Sequence, residues 1–398
     1  FGSSLSFIEY IHPMLDAAKT SLPLGLLAPF AERLKTWMLT SEERLQRAEQ
    51  KILEGIKTKV HVTDVSTPGS HIHTLSTVPI KFDHGNVGSG LAPVVLIHGY
   101  FMGAASWSQS FDTLSHNDNG PARDVYAIDW PSWGLSGREN FPSQQGTDVC
   151  EQFFVEGIEN WRRSVGLEKM VLLGHSFGGY FAACYTMKYP QHVDSLILAS
   201  PVGMMARKSN EGVSEERLES WTWWQRFLFH RVKRMWETGW TPMDFVRGLG
   251  PFGGRLTDWY MDRRFRRARQ QGTMQLDPSL TAEYLHRLAQ QSRGSEQCLG
   301  ELLEFGAWPK SPLAPRLARS FMALDRKPPV TLLYGDSDWM DATAGAWLAH
   351  ELGNTEVMLV ENAGHQLFMD NPYAFNAACR RALGYGPASI GGLYRQIL

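Results

Sequence analysis

The chain has 398 residues, 43% of them hydrophobic and 20% charged, and a formal net charge of −2. That length suits one large core with an insertion as well as two modest domains, because sheet-and-helix domains of roughly 250 residues are common. The near-neutral balance excludes an overall pull toward nucleic acid. Cys150, Cys184, Cys298 and Cys379 form no CxxC pair, which argues against a disulfide framework or zinc cage and fits a reducing, intracellular setting.

No run approaches about 18 uninterrupted apolar residues, so no membrane-spanning helix is expected. The chain starts at Phe1 without a methionine, as a processed form or a fragment would, so a targeting segment could already be gone. Residues 30–57 read as an amphipathic helix that carries Trp37, with Ser41 placed as an N-cap before a glutamate-rich turn. The segment 1–57 is therefore expected to be helical and to contact a membrane. An alternating run at 59–66 and a second stretch near 71–82 predict strands. His71 and His73 share a face of the second, and with no third ligand nearby they read as surface residues.

From residue 94 the rhythm changes. VVLIHG at 94–99, VYAIDWP at 125–131, MVLLGHS at 170–176, SLILASP at 195–201, PVTLLYG at 329–335 and TEVMLVENAGH at 355–365 read as buried strands. Helical stretches near 146–165 and 178–189 lie between them. This alternation predicts an α/β fold with a mostly parallel central sheet flanked by helices. Residues 203–320 interrupt it with seven tryptophans and the run RRFRRAR at 263–269. That segment carries 19 Lys and Arg against 13 Asp and Glu, a net of +6, whereas the rest of the chain nets −8. It predicts a helical cap insertion between two parts of the core, 58–202 and 321–398. Arginines beside tryptophans there suit anionic lipid headgroups, and a solvated helix face is the plainer reading.

The strongest chemical signal is GHSFGG at 174–179. Gly174, Ser176 and Gly178 form G-x-S-x-G between a strand and a helix, which raises a serine hydroxyl on a sharp turn. A serine needs a base to become a nucleophile. His365, in ENAGHQLFMD after the last predicted strand, is the expected base. Asp338 in LLYGDSDWMD is the expected acid, Asp341 its rival, and the remaining aspartates read as helix caps. The oxyanion hole is expected from the backbone amides of Phe177 and Tyr100, with Phe101 next in line. His98 reads as a loop-shaping residue. His365 and Asp370 also form H-x-x-x-x-D, a pattern some acyltransferases use as base and orienter, and Asp370 reads alternatively as a helix cap. No H-E-x-x-H or P-loop is present and no G-x-G-x-x-G stands at a strand end, so no metal or cofactor is expected.

Together these motifs resemble the α/β-hydrolase-domain 4/5 family over about residues 34–383. The resemblance runs through TWMLTSEERLQRAEQKIL, IHGYFMGAASW, DWPSWGLSGR, GHSFGGY, FVRGLGPFGGRL in the insertion, LLYGDSDWMD and AGHQLFMDNP. It implies an α/β-hydrolase fold, with the nucleophile on Ser176, the base on His365 and the H-x-x-x-x-D pair on His365 and Asp370. The family's acid falls on either Asp338 or Asp341, so the resemblance does not choose between them. The group includes lysophospholipases, N-acylphosphatidylethanolamine lipases and cardiolipin deacylases. One branch, which activates a lipase, carries asparagine in place of the serine. The resemblance implies a serine hydrolase deacylating phospholipids or lysophospholipids, peripheral to a membrane at a mitochondrion or lipid droplet. The alternatives are acylation of lysophosphatidic acid, or a lipid-surface adaptor that activates a lipase.

Overall fold

The structure, a computed structural model, describes residues 41–81, 90–118, 120–206, 218–385 and 394–396. Helix α1 spans Ser41–Leu53 and buries Leu45, Ala48, Ile52 and Leu53 along one stripe. It ends short of the expected residue 57, and residues 30–40, including Trp37, lie outside the described residues. Ser41 is already helical, and its hydroxyl donates to Gln291 at 3.3 Å, so it does not serve as the expected cap.

Strands β1 (His61–Thr67) and β2 (Ser70–Ser76) form an antiparallel hairpin. The turn is Pro68–Gly69, and Gly69 takes φ 81°, which suits Pro then Gly in a type II turn. The other elements follow in order: β3 (Val94–Ile97), α2 (Ser108–Leu114), β4 (Val125–Ile128), α3 (Thr147–Val165), β5 (Met170–His175), α4 (Phe177–Lys188) and β6 (Val193–Ala199). The insertion holds α5 (Trp223–Glu237), α6 (Pro242–Gly248), α7 (Gly253–Arg264), α8 (Arg266–Gln271), α9 (Pro278–Ala289) and α10 (Cys298–Leu302). The chain returns through α11 (Leu313–Met322), β7 (Val330–Gly335), α12 (Thr343–Leu352), β8 (Thr355–Val360), α13 (Leu367–Asp370), α14 (Pro372–Ala382) and β9 (Tyr394–Gln396).

The nine strands lie in the order β1-β2-β4-β3-β5-β6-β7-β8-β9. Those from β3 to β8 are parallel, as expected, and the hairpin at one edge and β9 at the other are antiparallel. Strands β3, β4, β5 and β7 are buried along their whole length, because helices cover both faces. Helices α3, α4, α11 and α12 pack as one group, and α2 with α14 as another. The order reverses at β3, which has β4 on one side and β5 on the other. Ligands in open α/β sheets bind beyond the strand ends at such a point. The short strand β9 was not among the expected elements.

The insertion leaves and rejoins the core at a neck. The Leu313 amide donates to the Gly203 carbonyl at 2.8 Å and the Ala314 amide to Met204 at 2.9 Å. Helix α11 packs on α4 and α12, so the insertion closes before residue 313, ahead of the expected 320.

His73 is buried, contrary to the surface position expected of it. Its Nδ1 lies 2.8 Å from Asp64 and its Nε2 2.9 Å from Glu49 on α1. Burial works against a charge on His73, but the attraction of Glu49 and the bonds to Asp64 and Glu49 outweigh it, and its pKa stands well above the ordinary value. The surface reading rested on the lack of a third ligand nearby in sequence, whereas α1 brings Glu49 to this face from outside the strand. His71, half-buried, bonds the Leu135 carbonyl at 3.1 Å. A raised folded pKa contributes stability that is complete below the unfolded value of about 6.5 and is lost as pH rises through the folded value. His73→Ala is therefore expected to cost about 2–4 kcal/mol in mildly acid solution. The gap in melting temperature between variant and wild type should narrow as pH rises, and a gap that widens instead would contradict this account.

Candidate active site

Ser176 follows β5 directly and opens α4 with φ 53° and ψ −115°, a conformation L-residues rarely adopt. Hydrogen bonds pin the turn. The Ser176 amide donates to Ala199 at 2.9 Å, and the Ser176 carbonyl accepts from Tyr180 at 3.1 Å. The glycines flanking it have a steric reason. A Cβ on Gly174 would sit 2.3 Å from the Gly178 carbonyl oxygen, and one on Gly178 would sit 2.1 Å from that of Ile97. Gly178→Ala is expected to force β3 and α4 apart, giving a lower melting temperature, by more than about 5 °C, or no soluble protein. A melting curve within a degree of wild type would show that the turn relaxes freely.

His365 lies in the loop between β8 and α13. Its Nε2 is 3.1 Å from the Ser176 hydroxyl oxygen, and its Nδ1 is 3.2 Å from Oδ1 of Asp338. Asp338 follows β7 and its side chain is 1% exposed. It accepts the Met340 amide at 3.0 Å and the Ser200 hydroxyl. Burial alone would push its carboxyl up, but His365 and these hydrogen bonds hold it below the usual range. Asp341 is exposed and accepts the Thr343 amide at 2.9 Å, at the start of α12. Asp336 accepts the Asn362 amide at 2.9 Å. The structure thus brings Ser176, His365 and Asp338 together and leaves Asp341 aside.

Phe177 opens α4, where the first intrahelical donor is the Tyr180 amide, so the amides of residues 177–179 are free of helix bonding. Tyr100 follows β3, with its ring 5.9 Å from that of Phe177 and 5.5 Å from Trp133. Phe101 takes φ 63°, and its ring meets Tyr260 of the insertion at 6.2 Å. All three border the same cavity as Ser176. The loop that carries them rests on Asp129 after β4. This carboxylate accepts the Ala104 amide at 2.7 Å and the Leu135 amide at 2.8 Å, and burial pushes it up to about 6. His98 bonds the Gly99 carbonyl at 2.8 Å, and burial lowers its pKa to about 3, so it holds the loop as a neutral ring.

His365 and Asp370 do not form the pair that H-x-x-x-x-D suggests. Asp370 is buried and takes a bidentate pair from Arg264 of α7, at 3.2 and 2.9 Å. It also accepts the amide of Gly364, the residue before His365, at 2.9 Å. The cap of α14 is Asn371, whose side chain accepts the Ala374 amide at 3.2 Å. The arginine-rich stretch is largely tied to its own chain. Arg267 reaches Ser337, Arg269 and Arg266 reach Asp262, and Arg263 lies over Trp259 at 5.1 Å. Among the described residues no group of His, Cys, Asp and Glu is placed to hold a metal ion.

Sequence reading missed Ser200, His175, Asp129 and Arg264. Ser200 takes φ 46° at the end of β6, and the SP after SLILA was its faint signal. His175 donates from Nε2 to the His365 carbonyl at 2.8 Å. Burial, with repulsion from His365, keeps its pKa well below the ordinary value, so it braces the loop as a neutral ring. The partners of Asp129 and Arg264 are remote in sequence, and no local pattern marks them.

Ser176 and His365 open into a cavity of about 440 Å³ between the sheet and the insertion. Its walls include Val202, Trp236, Val246, Leu256, Leu299 and Leu303, so it is chiefly apolar.

Residues 92–372 match the model of the α/β hydrolase fold family. A 1-acylglycerol-3-phosphate O-acyltransferase of Arabidopsis thaliana is 33% identical, over 87% of this chain and 82% of that protein. The 1-acylglycerol-3-phosphate O-acyltransferase ABHD5 of Homo sapiens is 32% identical over 85% and 88%. A (lyso)-N-acylphosphatidylethanolamine lipase of Homo sapiens is 28% identical over 85% and 91%. In fold, the chain is similar to the carboxylesterase CesB of Bacillus subtilis, with a TM-score of 0.56 and 17% identity over 87% of this chain and 98% of that one. With its serine on the strained turn after β5, the chain belongs to the α/β-hydrolase fold family and, within it, to the domain 4/5 group of lipid-related hydrolases and acyltransferases.

Proposed function

We propose that this protein is a serine hydrolase that deacylates phospholipids or lysophospholipids at an intracellular membrane surface, with Ser176 as nucleophile, His365 as base and Asp338 as acid. The observation that carries the reading is the continuous Ser176–His365–Asp338 chain opening into an apolar cavity. A volume near 440 Å³ lies within the range of small-molecule pockets, roughly 300–1,000 Å³.

Ser176 Oγ attacks the acyl carbonyl while Nε2 of His365 takes its proton. Asp338, ionised, holds the Nδ1 proton and stabilises the imidazolium. The amides of Phe177 and Tyr100 receive the developing oxyanion. Nε2 returns the proton to the departing glyceryl oxygen and leaves an acyl-serine. Water then attacks the acyl carbon as Nε2 takes its proton, the acyl–Oγ bond breaks, Nε2 returns the proton to Ser176 Oγ, and the fatty acid leaves. The test is the purified protein with defined phospholipids and lysophospholipids, scored for free fatty acid. No release above blank from any of them would overturn the reading.

Acyl transfer is the second reading, favoured by relatives named as acyltransferases. On this geometry it uses the same acyl-serine, intercepted by the hydroxyl of lysophosphatidic acid in place of water, because Asp370 is committed to Arg264 and Gly364. Labelled acyl-CoA with lysophosphatidic acid separates the two: diacyl product that depends on Ser176 favours transfer, and free fatty acid alone favours hydrolysis.

A further inference from the structure

Helix α5 has two faces of different character. Its inner stripe, Leu228, Phe229, Val232, Met235 and Trp236, is buried or half-buried, and Val232 and Trp236 line the cavity. Its outer face starts with large aromatics in water. Trp223 is 61% exposed, Trp224 60% and Phe227 53%, and the two indoles stack at 3.9 Å. Such a cluster is unusual on a surface that meets nothing but solvent. Arg226, Arg231 and Arg234 on the same helix are exposed and enter no ion pair among the described residues. Just beyond it, Trp240, Phe245 and Leu249 are 47%, 38% and 40% exposed and also line the cavity that holds Ser176. The apolar lining therefore continues out to an apolar rim.

We propose that the outer face of α5, with the rim of Trp240, Phe245 and Leu249, docks this chain on an anionic phospholipid bilayer, with the cavity mouth turned to the lipid. Charge favours this occupant. The 203–320 segment nets +6 while the rest of the chain nets −8, so a negative surface draws the insertion inward and repels the remainder. Aromatics beside arginines are the composition that settles at the headgroup level, with rings in the acyl boundary and guanidinium groups among phosphates. Four arginines of 263–269 are held by Asp262, Ser337 and Asp370, whereas Arg226, Arg231 and Arg234 of α5 enter no ion pair among the described residues. Docking rests on the deacylase reading only for the direction of the mouth, which would receive an acyl chain without exposing it to water.

The test is sedimentation of the full chain carrying Ser176→Ala, which cannot consume the vesicles, with vesicles of phosphatidylcholine containing phosphatidylglycerol. Adding Trp223→Ser, Trp224→Ser and Phe227→Ser is expected to weaken binding by roughly tenfold or more, through lost apolar burial. Reversing Arg226, Arg231 and Arg234 to Glu should abolish the preference for phosphatidylglycerol over phosphatidylcholine alone. In the Ser176 background, hydrolysis of a short water-soluble ester should be unchanged by the aromatic substitutions, which shows that the fold and site survive. Unchanged vesicle binding by both sets, with that hydrolysis retained, overturns the proposal. So does a fall in particle mass in solution on removing the aromatics, which would make this face a contact between copies of the chain. Absence of ester hydrolysis in wild type tells against the deacylase reading and leaves the vesicle measurement standing.

Discussion

Ser176→Ala is expected to lower ester hydrolysis by about 10⁴–10⁶-fold, the loss seen when a serine nucleophile is removed from a working relay. The oxygen is the atom 3.1 Å from Nε2 of His365, and nothing else in the pair supplies a nucleophile. The backbone turn does not depend on that oxygen, because the Ser176 amide and carbonyl are held by Ala199 and Tyr180. The melting temperature should therefore move by only about 1–3 °C, which separates loss of chemistry from loss of fold. Fatty-acid release that persists at a tenth of wild type or more would remove Ser176 from the reaction. An unreactive variant should also lose labelling by a fluorophosphonate probe, which reports the nucleophile without any choice of lipid.

Asp338→Asn should cost about 10⁴-fold in kcat/KM, and Asp341→Asn less than about threefold. An amide at 338 offers an N–H to Nδ1 of His365 in place of an acceptor, so the ring takes the tautomer that cannot accept a proton at Nε2. It also loses the charge that steadies the imidazolium. Asp338 is held below its ordinary pKa, so it stays ionised across neutral and mildly acid solution. Asp341 faces water and the start of α12, where its replacement costs a cap. The opposite order of effects would mean that the loop from 335 to 342 rearranges when substrate binds.

The fold was readable because its evidence is local. Runs such as VVLI and VTLLYG are too apolar and too short to be anything but covered strands, and their alternation with helices leaves few topologies. Ser176 and His365 were readable for the same reason, since each sits at a strand end that the fold itself marks. Spacing from the strand-terminal glycine favoured Asp338 without removing Asp341, because both lie in one turn and only three dimensions show which carboxylate points inward. His73 was misplaced because the lack of a third ligand nearby in sequence says nothing of the helix that brings Glu49 to it. Asp370 was read either as the partner of a histidine five residues away or as a helix cap, whereas its carboxylate pairs with Arg264, 106 residues distant. The arginines of 263–269 suited a lipid contact by composition, yet four of them reach Asp262, Ser337 or Asp370 within the chain, whereas Arg226, Arg231 and Arg234 of α5 enter no ion pair among the described residues.

The Arg264–Asp370 pair bears on whether the parts of this molecule can be exchanged. The insertion joins the core at a narrow neck at residues 203–204 and 313–314, which makes it look like a removable module. Its hold on the loop of His365 says otherwise. A substitute insertion without an arginine at this place would leave a buried carboxylate with no counter-charge, a loss of about 3–5 kcal/mol. The strain would fall on the Gly364 amide, one residue from His365. Chimeras that graft another relative's insertion to change lipid preference must therefore carry Arg264 and Asp370 together, or trade both for an uncharged pair of similar volume.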